Sequence, residues 1–211
     1  LFFIAKNYVN KESFVSANEM EVPFQPSTAD MQILQDTTHY RVFEVAGNMS
    51  NARTSYFHKS IGGYHAAKPR RMQQLFDYQI AKNNLEPLNF LNVKYLIQTD
   101  KEGKEFPIAN PDANGNAWFV SQVKLVTTAD EEMKALDQLD SKNVAVLNSK
   151  EFTMNKLAFV KDSSAVITLD SYQPNHLQYT SINANEGLAV FSEMYYKNGW
   201  NAYIDGNKVE H

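Results

Sequence analysis

The sequence contains no cysteine. Disulfide bonds, thiolate metal sites and a cysteine nucleophile are therefore excluded, whereas the compartment stays open because a protein without disulfides can reside anywhere. Five scattered histidines leave few ligands for a metal ion. We accordingly expect neither a metal site nor a cofactor.

Long apolar runs are also missing. No stretch approaches the roughly eighteen uncharged apolar residues that a membrane helix requires. The most apolar run, Gly187 to Phe191, has the length of a strand, so we expect that this chain does not itself cross a bilayer. With 43% hydrophobic and 21% charged residues among 211, the composition is that of an ordered globular chain with one large domain or two small ones.

The two ends lack features of a complete protein. The chain begins with Leu1 instead of Met, and its first residues have neither the basic region nor the cleavage site of a signal peptide. Near the other end, Asp205-Gly206 is typical of a two-residue type I′ hairpin turn, and the strand after it is only begun. We interpret the chain as a fragment of a longer polypeptide.

Acidic residues are absent from Val45 to Phe76, which we call the basic segment, and its arginines and lysines give a charge of +5. Such a one-sided segment is suited to an anionic ligand such as phosphate, a carboxylated glycan or a lipid headgroup. The candidate binding residues are His58, Lys59, Gly62, Gly63, Tyr64, His65, Lys68, Arg70 and Arg71. The alternative is that acids elsewhere neutralise this segment, because the whole chain has a formal net charge of −4.

Motifs for catalysis or for nucleic-acid binding are missing as well. A pI of about 5.7 and the lack of any recognisable binding motif disfavour nucleic acid as a partner. The sequence has no nucleophile elbow, no His-Glu-x-x-His, no nucleotide phosphate loop and no dinucleotide fingerprint. His58 and His65 are seven residues apart, but the glycines between them disfavour a helix that would align them as a metal pair. We assign no catalytic residue to the chain.

The first part, residues 1–150, reads as an α/β domain with a mixed sheet and about three helices. Its predicted helices follow Ser27 (to about Gln35), Pro69 (to about Asn83) and Thr128, with one further turn at Leu88–Leu91. Its predicted strands are Tyr40–Val45, Val93–Gln98, Ala117–Val126 (with room for a bulge) and Asn143–Leu147. The intervening segment from Pro107 to Gly115 is predicted to consist of turns.

The second part, residues 151–211, reads as an all-β domain that resembles a sandwich and is truncated at its C-terminal end. Short strands are predicted at Ala165–Leu169, His176–Thr180, Leu188–Tyr196 and Trp200–Ile204. The fold class is therefore α+β. Trp200 and Tyr203 are candidates for stacking on sugar rings, and the alternative is that they belong to the core.

Five blocks of sequence carry a resemblance to a known family. They are Ser55–Lys68, Leu91–Ile97, Gly115–Val120, Ser171–Leu177 and Phe191–Gly206. Together, from about Tyr8 onward, they resemble the YfhO family of large bacterial membrane proteins, in the style of its Bacteroidetes members. The resemblance implies a multi-spanning glycosyltransferase of the GT-C type that uses a polyprenyl-phosphate sugar, with a soluble portion outside the cytoplasm near its C-terminal end.

The resemblance transfers no catalytic residue, because in such enzymes the catalytic acid lies in an early loop between membrane helices. We therefore expect an extracytoplasmic (periplasmic) accessory domain at the cell membrane, which positions a polyprenyl-phosphate sugar or a cell-envelope acceptor without chemistry of its own. Its expected partners are the membrane helices of the same polypeptide. The alternative is a glycan-binding or protein-interaction domain of a non-catalytic membrane protein, with the ligand near Trp200.

Overall fold

The computed structural model describes residues 8–22, 24–64, 67–196 and 198–211. Six α-helices lie in these ranges: α1 (Ala17–Glu21), α2 (Thr28–Ile33), α3 (Ala52–Phe57), α4 (Arg70–Tyr78), α5 (Glu86–Phe90) and α6 (Ala129–Lys134). Two short 3-10 helices cover Lys11–Ser13 and Ile80–Lys82. None of the helices described is long and apolar enough to cross a membrane.

Eleven strands complete the described structure. They are β1 (Arg41–Glu44), β2 (Val93–Thr99), β3 (Glu105–Ala109), β4 (Ala117–Val120), β5 (Gln122–Val126), β6 (Val144–Asn148), β7 (Val166–Gln173), β8 (His176–Ile182), β9 (Leu188–Phe191), β10 (Ala202–Ile204) and β11 (Asn207–Val209). The predicted α+β class is confirmed. All six described helices precede β6, and the strands that follow pair antiparallel.

A mixed three-stranded sheet in the order β1-β2-β3 organises the first part of the chain. β1 and β2 are parallel, whereas β2 and β3 are antiparallel. Successive residues of a strand point to opposite faces, and accordingly Val42 packs with Ile33 of α2 while Phe43 packs with Met72 of α4 and Leu88 of α5. The sheet thus has a buried cluster on each face, with helices on both sides.

Local sequence signals explain the helix boundaries in this part. Ser27 and Asp30 form a reciprocal capping box that begins α2, as predicted. Pro69 precedes α4, and Asn83, at a φ of 64°, ends the 3-10 turn that follows it. The described residues of the first part contain six helices where about three were predicted: α1 and α3 are short helices that were not predicted, and α5 corresponds to the further turn predicted at Leu88–Leu91.

The remaining strands form four pairs. β5 and β6 are parallel and are connected through α6, and β7 pairs with β8 and β10 with β11 as antiparallel hairpins. β4 pairs antiparallel with β9, so this ladder connects the segments on either side of residue 150. The ranges that the structure describes contain no closed barrel.

Three predicted boundaries need correction. Pro107 lies in β3 and not in a turn. This is possible because β3 is an edge strand, where the missing N–H of a proline can face away from the neighbouring strand. The predicted strand from Ala117 to Val126 is divided at Ser121 because β4 and β5 pair with different partners. The strand from Leu188 ends at Phe191 instead of Tyr196.

Candidate functional site

His58, the first residue of the candidate anion site, faces the interior. It follows α3, and its Nε2 lies 2.9 Å from Oδ1 of Asp30. The His58 side chain is 2% exposed and the Asp30 side chain is fully buried. His58 therefore contacts an internal carboxylate and does not present its imidazole to solvent.

Asp30 is the centre of a buried ionic cluster. Arg53 donates to Asp30 Oδ2, and its Nη1 lies 3.2 Å from Glu105 Oε2 on β3. Burial alone raises the pKa of Asp30, but hydrogen bonds from Ser27 and His58 and the charge of Arg53 outweigh it and lower that pKa below its ordinary value. The cluster thus holds an ionised carboxylate between α2, α3 and β3.

Gly62 and Gly63 pack against the turn at Asn48-Met49. A Cβ added to Gly62 would lie 2.5 Å from the carbonyl oxygen of Asn48, and the N–H of Gly63, whose φ is 120°, donates to the carbonyl of Met49 at 3.1 Å. The glycines therefore permit a close approach of two backbone segments. Tyr64 beside them is 87% exposed, and His65 lies outside the described residues.

The three remaining basic residues of the candidate site surround the start of α4. Lys68 donates to the Met49 carbonyl and to Gln73, at 3.2 Å each. Arg71 donates to Glu132, and its Nη1 lies 3.7 Å from Glu151. Arg70 is exposed and has no ion pair among the residues described. Arg71 and Arg53 therefore form ion pairs with acids from other segments. This agrees with the alternative that acids elsewhere in the chain neutralise the basic segment.

Lys59 does not contact Lys68, Arg70 or Arg71 and belongs to a second cluster. Its Nζ lies 2.6 Å from Nδ1 of His39 and 3.6 Å from the ring centroid of Tyr172 on β7. The His39 imidazole stacks on the Tyr172 ring, with centroids 3.9 Å apart and an interplanar angle of 28°. Burial lowers the pKa of Lys59. A cation and two aromatic rings thus meet where the basic segment contacts β7.

Glu193 provides the negative charge of this second cluster. Its Oε2 accepts a hydrogen bond from Arg41 on β1 at 3.0 Å, and its Oε1 lies 3.6 Å from His39 Nε2. The nearby imidazole of His39 and the charge of Arg41 lower the pKa of Glu193, although burial opposes them. Arg41 also donates to the Ser192 carbonyl at 2.6 Å. The ionic contacts of Glu193 therefore connect β1 to the segment after β9.

Tyr179 on β8 completes the second cluster. Its hydroxyl is buried and has no hydrogen-bond partner among the described residues. Burial, together with the negative charge of Glu193, raises the pKa of Tyr179 to about 12. The phenol is therefore neutral at physiological pH and is a hydrogen-bond donor held near a carboxylate.

A cleft of about 550 Å³, lined by both polar and apolar side chains, adjoins this cluster. Its walls are residues 37–39 before β1, residues 114–117 at the start of β4, and residues 167–172 of β7. The volume lies within the roughly 300–1,000 Å³ that small-molecule sites occupy. His39 and Tyr172 line the cleft and also contact Lys59. The Lys59 ammonium therefore lies directly against this part of the wall.

Sequence reasoning missed this cleft. Among the residues around the cleft, only Lys59 was predicted to belong to a binding site, as part of the basic segment. The cleft residues come from three segments that are distant along the chain, and none of the segments contains a recognisable motif. A weak signal was present in Ser171–Leu177, which is one of the blocks that carry the family resemblance and which includes Tyr172.

Trp200 and Tyr203, the candidates for sugar stacking, differ in exposure. The indole N–H of Trp200 donates to the Met194 carbonyl at 3.1 Å and the residue is half-buried, whereas Tyr203 on β10 is 61% exposed. Asp205 and Gly206 have φ values of 50° and 79°, as the predicted type I′ turn requires, and β11 follows them. Tyr203 therefore presents its ring on the outside of this hairpin.

The described ranges contain no group of three or more His, Asp or Glu side chains placed to hold a metal ion. Comparisons of the sequence with protein-family models, with curated proteins and with solved structures found no match. The relation to the YfhO family therefore stays a prediction that rests on the five sequence blocks.

Proposed function

We propose that this chain is an extracytoplasmic accessory domain of a multi-spanning, glycosyltransferase-like membrane protein. In that role it positions a polyprenyl-phosphate sugar donor or a cell-envelope acceptor next to the membrane helices of the same polypeptide and performs no chemistry of its own. The five sequence blocks support the family relation, and the cleft supports the binding role.

The observation that carries the proposal is a cleft with polar side chains in its wall beside a cation. A sugar phosphate combines hydroxyl groups with an anion, and the cleft combines polar side chains with the Lys59 ammonium at its border. The Lys59 ammonium donates to His39 Nδ1 at 2.6 Å, and a phosphate oxygen would give its remaining N–H groups a charged acceptor. Arg70, exposed at the first position of α4, supplies a further positive charge for an anionic surface or polymer.

The test uses the intact membrane protein. We expect Lys59→Met combined with Arg70→Ala to reduce sugar transfer at least about tenfold, which corresponds to about 1.4 kcal/mol of lost stabilisation, while the domain keeps its circular dichroism and melting temperature. Lys124→Met on the exposed side of β5 is the matched control. Unchanged transfer by the folded double variant would contradict the proposal.

The alternative, a glycan-binding or protein-interaction domain of a non-catalytic membrane protein, is favoured by the exposed aromatic rings near the C-terminal hairpin. Tyr195, Tyr196 and Tyr203 are 49%, 64% and 61% exposed, and exposed aromatic planes are suited to stacking on sugar rings or on a partner protein. For this alternative we expect Tyr203→Ala to abolish ligand binding and Lys59→Met to leave it unchanged.

A further inference from the structure

His39 lies between a cation and an anion, and this position determines which ring nitrogen carries its proton. The Lys59 ammonium has only N–H donors, so the Nδ1 of His39, at 2.6 Å, accepts from it. The proton of the neutral imidazole is therefore on Nε2, which lies 3.6 Å from Glu193 Oε1. Through His39, one arrangement of donors and acceptors thus connects the basic segment to the segment after β9.

A second proton on His39 conflicts with this arrangement. That proton would occupy Nδ1, so an N–H of the ring would face the N–H groups of the Lys59 ammonium, and two positive charges would lie within hydrogen-bond distance. Histidine is the side chain whose charge ordinarily changes between about pH 5 and 8. The conflict therefore arises on mild acidification.

The other charged and titratable groups of the cluster come from several elements. They are Lys59 of the basic segment, Arg41 on β1, Asp170 and Tyr172 on β7, Tyr179 on β8 and Glu193 after β9. The lowered pKa of Glu193 keeps it ionised on mild acidification, and the pKa of Tyr179, raised to about 12, keeps it neutral. Protonation of His39 therefore adds one positive charge to a cluster in which Arg41 and Glu193 already neutralise each other.

An anion removes the conflict between the two cations. Lys59 is exposed, so its flexible side chain can move aside to admit one oxygen atom. An anionic oxygen between the two nitrogens accepts from the Nδ1–H of His39 and from the Lys59 ammonium, and both are charge-assisted hydrogen bonds. With a neutral His39 the same oxygen would face the lone pair of Nδ1, and only Lys59 would donate. The site therefore binds an anion more tightly when His39 carries its second proton.

We propose that anion binding at Lys59 is coupled to the protonation of His39, so that the site holds a phosphate group in a mildly acidic medium and releases it as the pH rises. The inference rests on the proposed function and deepens it, because it identifies how the phosphate of a sugar donor is held and released. The coupling is reciprocal: the bound anion favours the protonated imidazole by the factor by which protonation favours the anion.

The test is an NMR titration of the 211-residue chain with sulfate at constant ionic strength, because sulfate keeps its double negative charge over the pH range in which histidine titrates. We expect sulfate to bind about tenfold more tightly at about pH 5.5 than at about pH 8, a factor typical of coupled sites. Lys59→Met should weaken the binding at the lower pH about tenfold.

Two neutral replacements of His39 test the coupling itself. His39→Gln keeps a nitrogen donor near the Nε2 position and His39→Asn keeps an acceptor near the Nδ1 position, and neither side chain titrates. Each variant that keeps its circular dichroism should lose the pH dependence of sulfate binding. His176→Gln on β8 is the matched control, because His176 is exposed, and it should retain the pH dependence.

The outcomes separate this inference from the proposed function. Sulfate binding that requires Lys59 but does not vary with pH, or a pH dependence that both folded His39 variants retain, would overturn the coupling and leave a phosphate site at Lys59. The absence of sulfate binding at both pH values would also overturn it. The proposed function is decided independently, by the transfer assay on the intact membrane protein.

Discussion

Replacing Asp30 by asparagine tests the buried ionic cluster with almost no change in volume. Asp30 accepts from His58 through Oδ1 and from the Ser27 N–H, at 2.7 Å, through Oδ2, which Arg53 also contacts. An amide supplies one acceptor and one NH₂ donor, so in Asp30→Asn the new NH₂ group faces one of these donors. Arg53 and His58 also lose the negative charge of Asp30.

The expected magnitude follows from the burial of this side chain. Removing one partner of a buried ion pair costs about 3–5 kcal/mol, and the lower end applies because Arg53 keeps Glu105 at 3.2 Å. For a chain of this size each kcal/mol lowers the melting temperature by about 2–4 °C. We therefore expect a decrease of about 6–12 °C in calorimetry, with a matching loss in urea unfolding.

The control and the pH dependence make this prediction specific. Asp112→Asn changes an exposed aspartate and is expected to remain within about 0.5 kcal/mol of the native stability. Because the folded-state pKa of Asp30 is lowered, its contribution is present above its ordinary pKa of 3.8 and is lost as the pH falls below that value. A loss of under about 1 kcal/mol at neutral pH, or an unchanged acid transition in Asp30→Asn, would refute the reasoning.

Three further predictions concern separate parts of the structure. Tyr40→Phe should reduce the stability lost between pH 10 and 12, because burial raises the folded-state pKa of Tyr40 to about 12 while the unfolded phenol ionises near 10; equal alkaline losses in urea titrations would contradict this. Gly62→Ala should cost about 1–3 kcal/mol in urea unfolding, because the new Cβ meets the Asn48 carbonyl oxygen; a neutral effect would show that the turn relaxes. Glu193→Gln should reduce stability by about 1–3 kcal/mol in thermal unfolding, because the charge-assisted hydrogen bond from Arg41 becomes weaker; native stability would indicate that this contact does not form.

Signals that act within a few residues were readable from the sequence. The capping box of Ser27 and Asp30 and the positive φ values of Asp205 and Gly206 depend on the chemistry of adjacent positions, and both were predicted correctly. The same is true of Pro69 at the start of α4. These features need no knowledge of the tertiary structure, because a cap or a two-residue turn satisfies its own backbone groups.

Contacts between distant segments were not readable. Arg41 and Glu193 are 152 residues apart, and a charged residue in a strand carries no periodicity that identifies its partner. Asp30 was predicted as part of a cap, but its contacts with Arg53 and His58 depend on how α3 packs beside α2. The strand that contains Pro107 was missed because a proline in an edge strand looks, by composition, like a turn.

The pairing of β4 with β9 has a consequence for synthesis on the ribosome. Val120 pairs with Leu188, 68 residues later, and at about 5–20 residues per second that delay lasts about 3–14 s. During this interval β4 has left the ribosome, with Trp118 and Phe119, but its pairing partner has not been made. Contacts of such long sequence separation close slowly, so β4 waits longer for its pairing partner than the strands of the β7–β8 hairpin, whose partner follows directly.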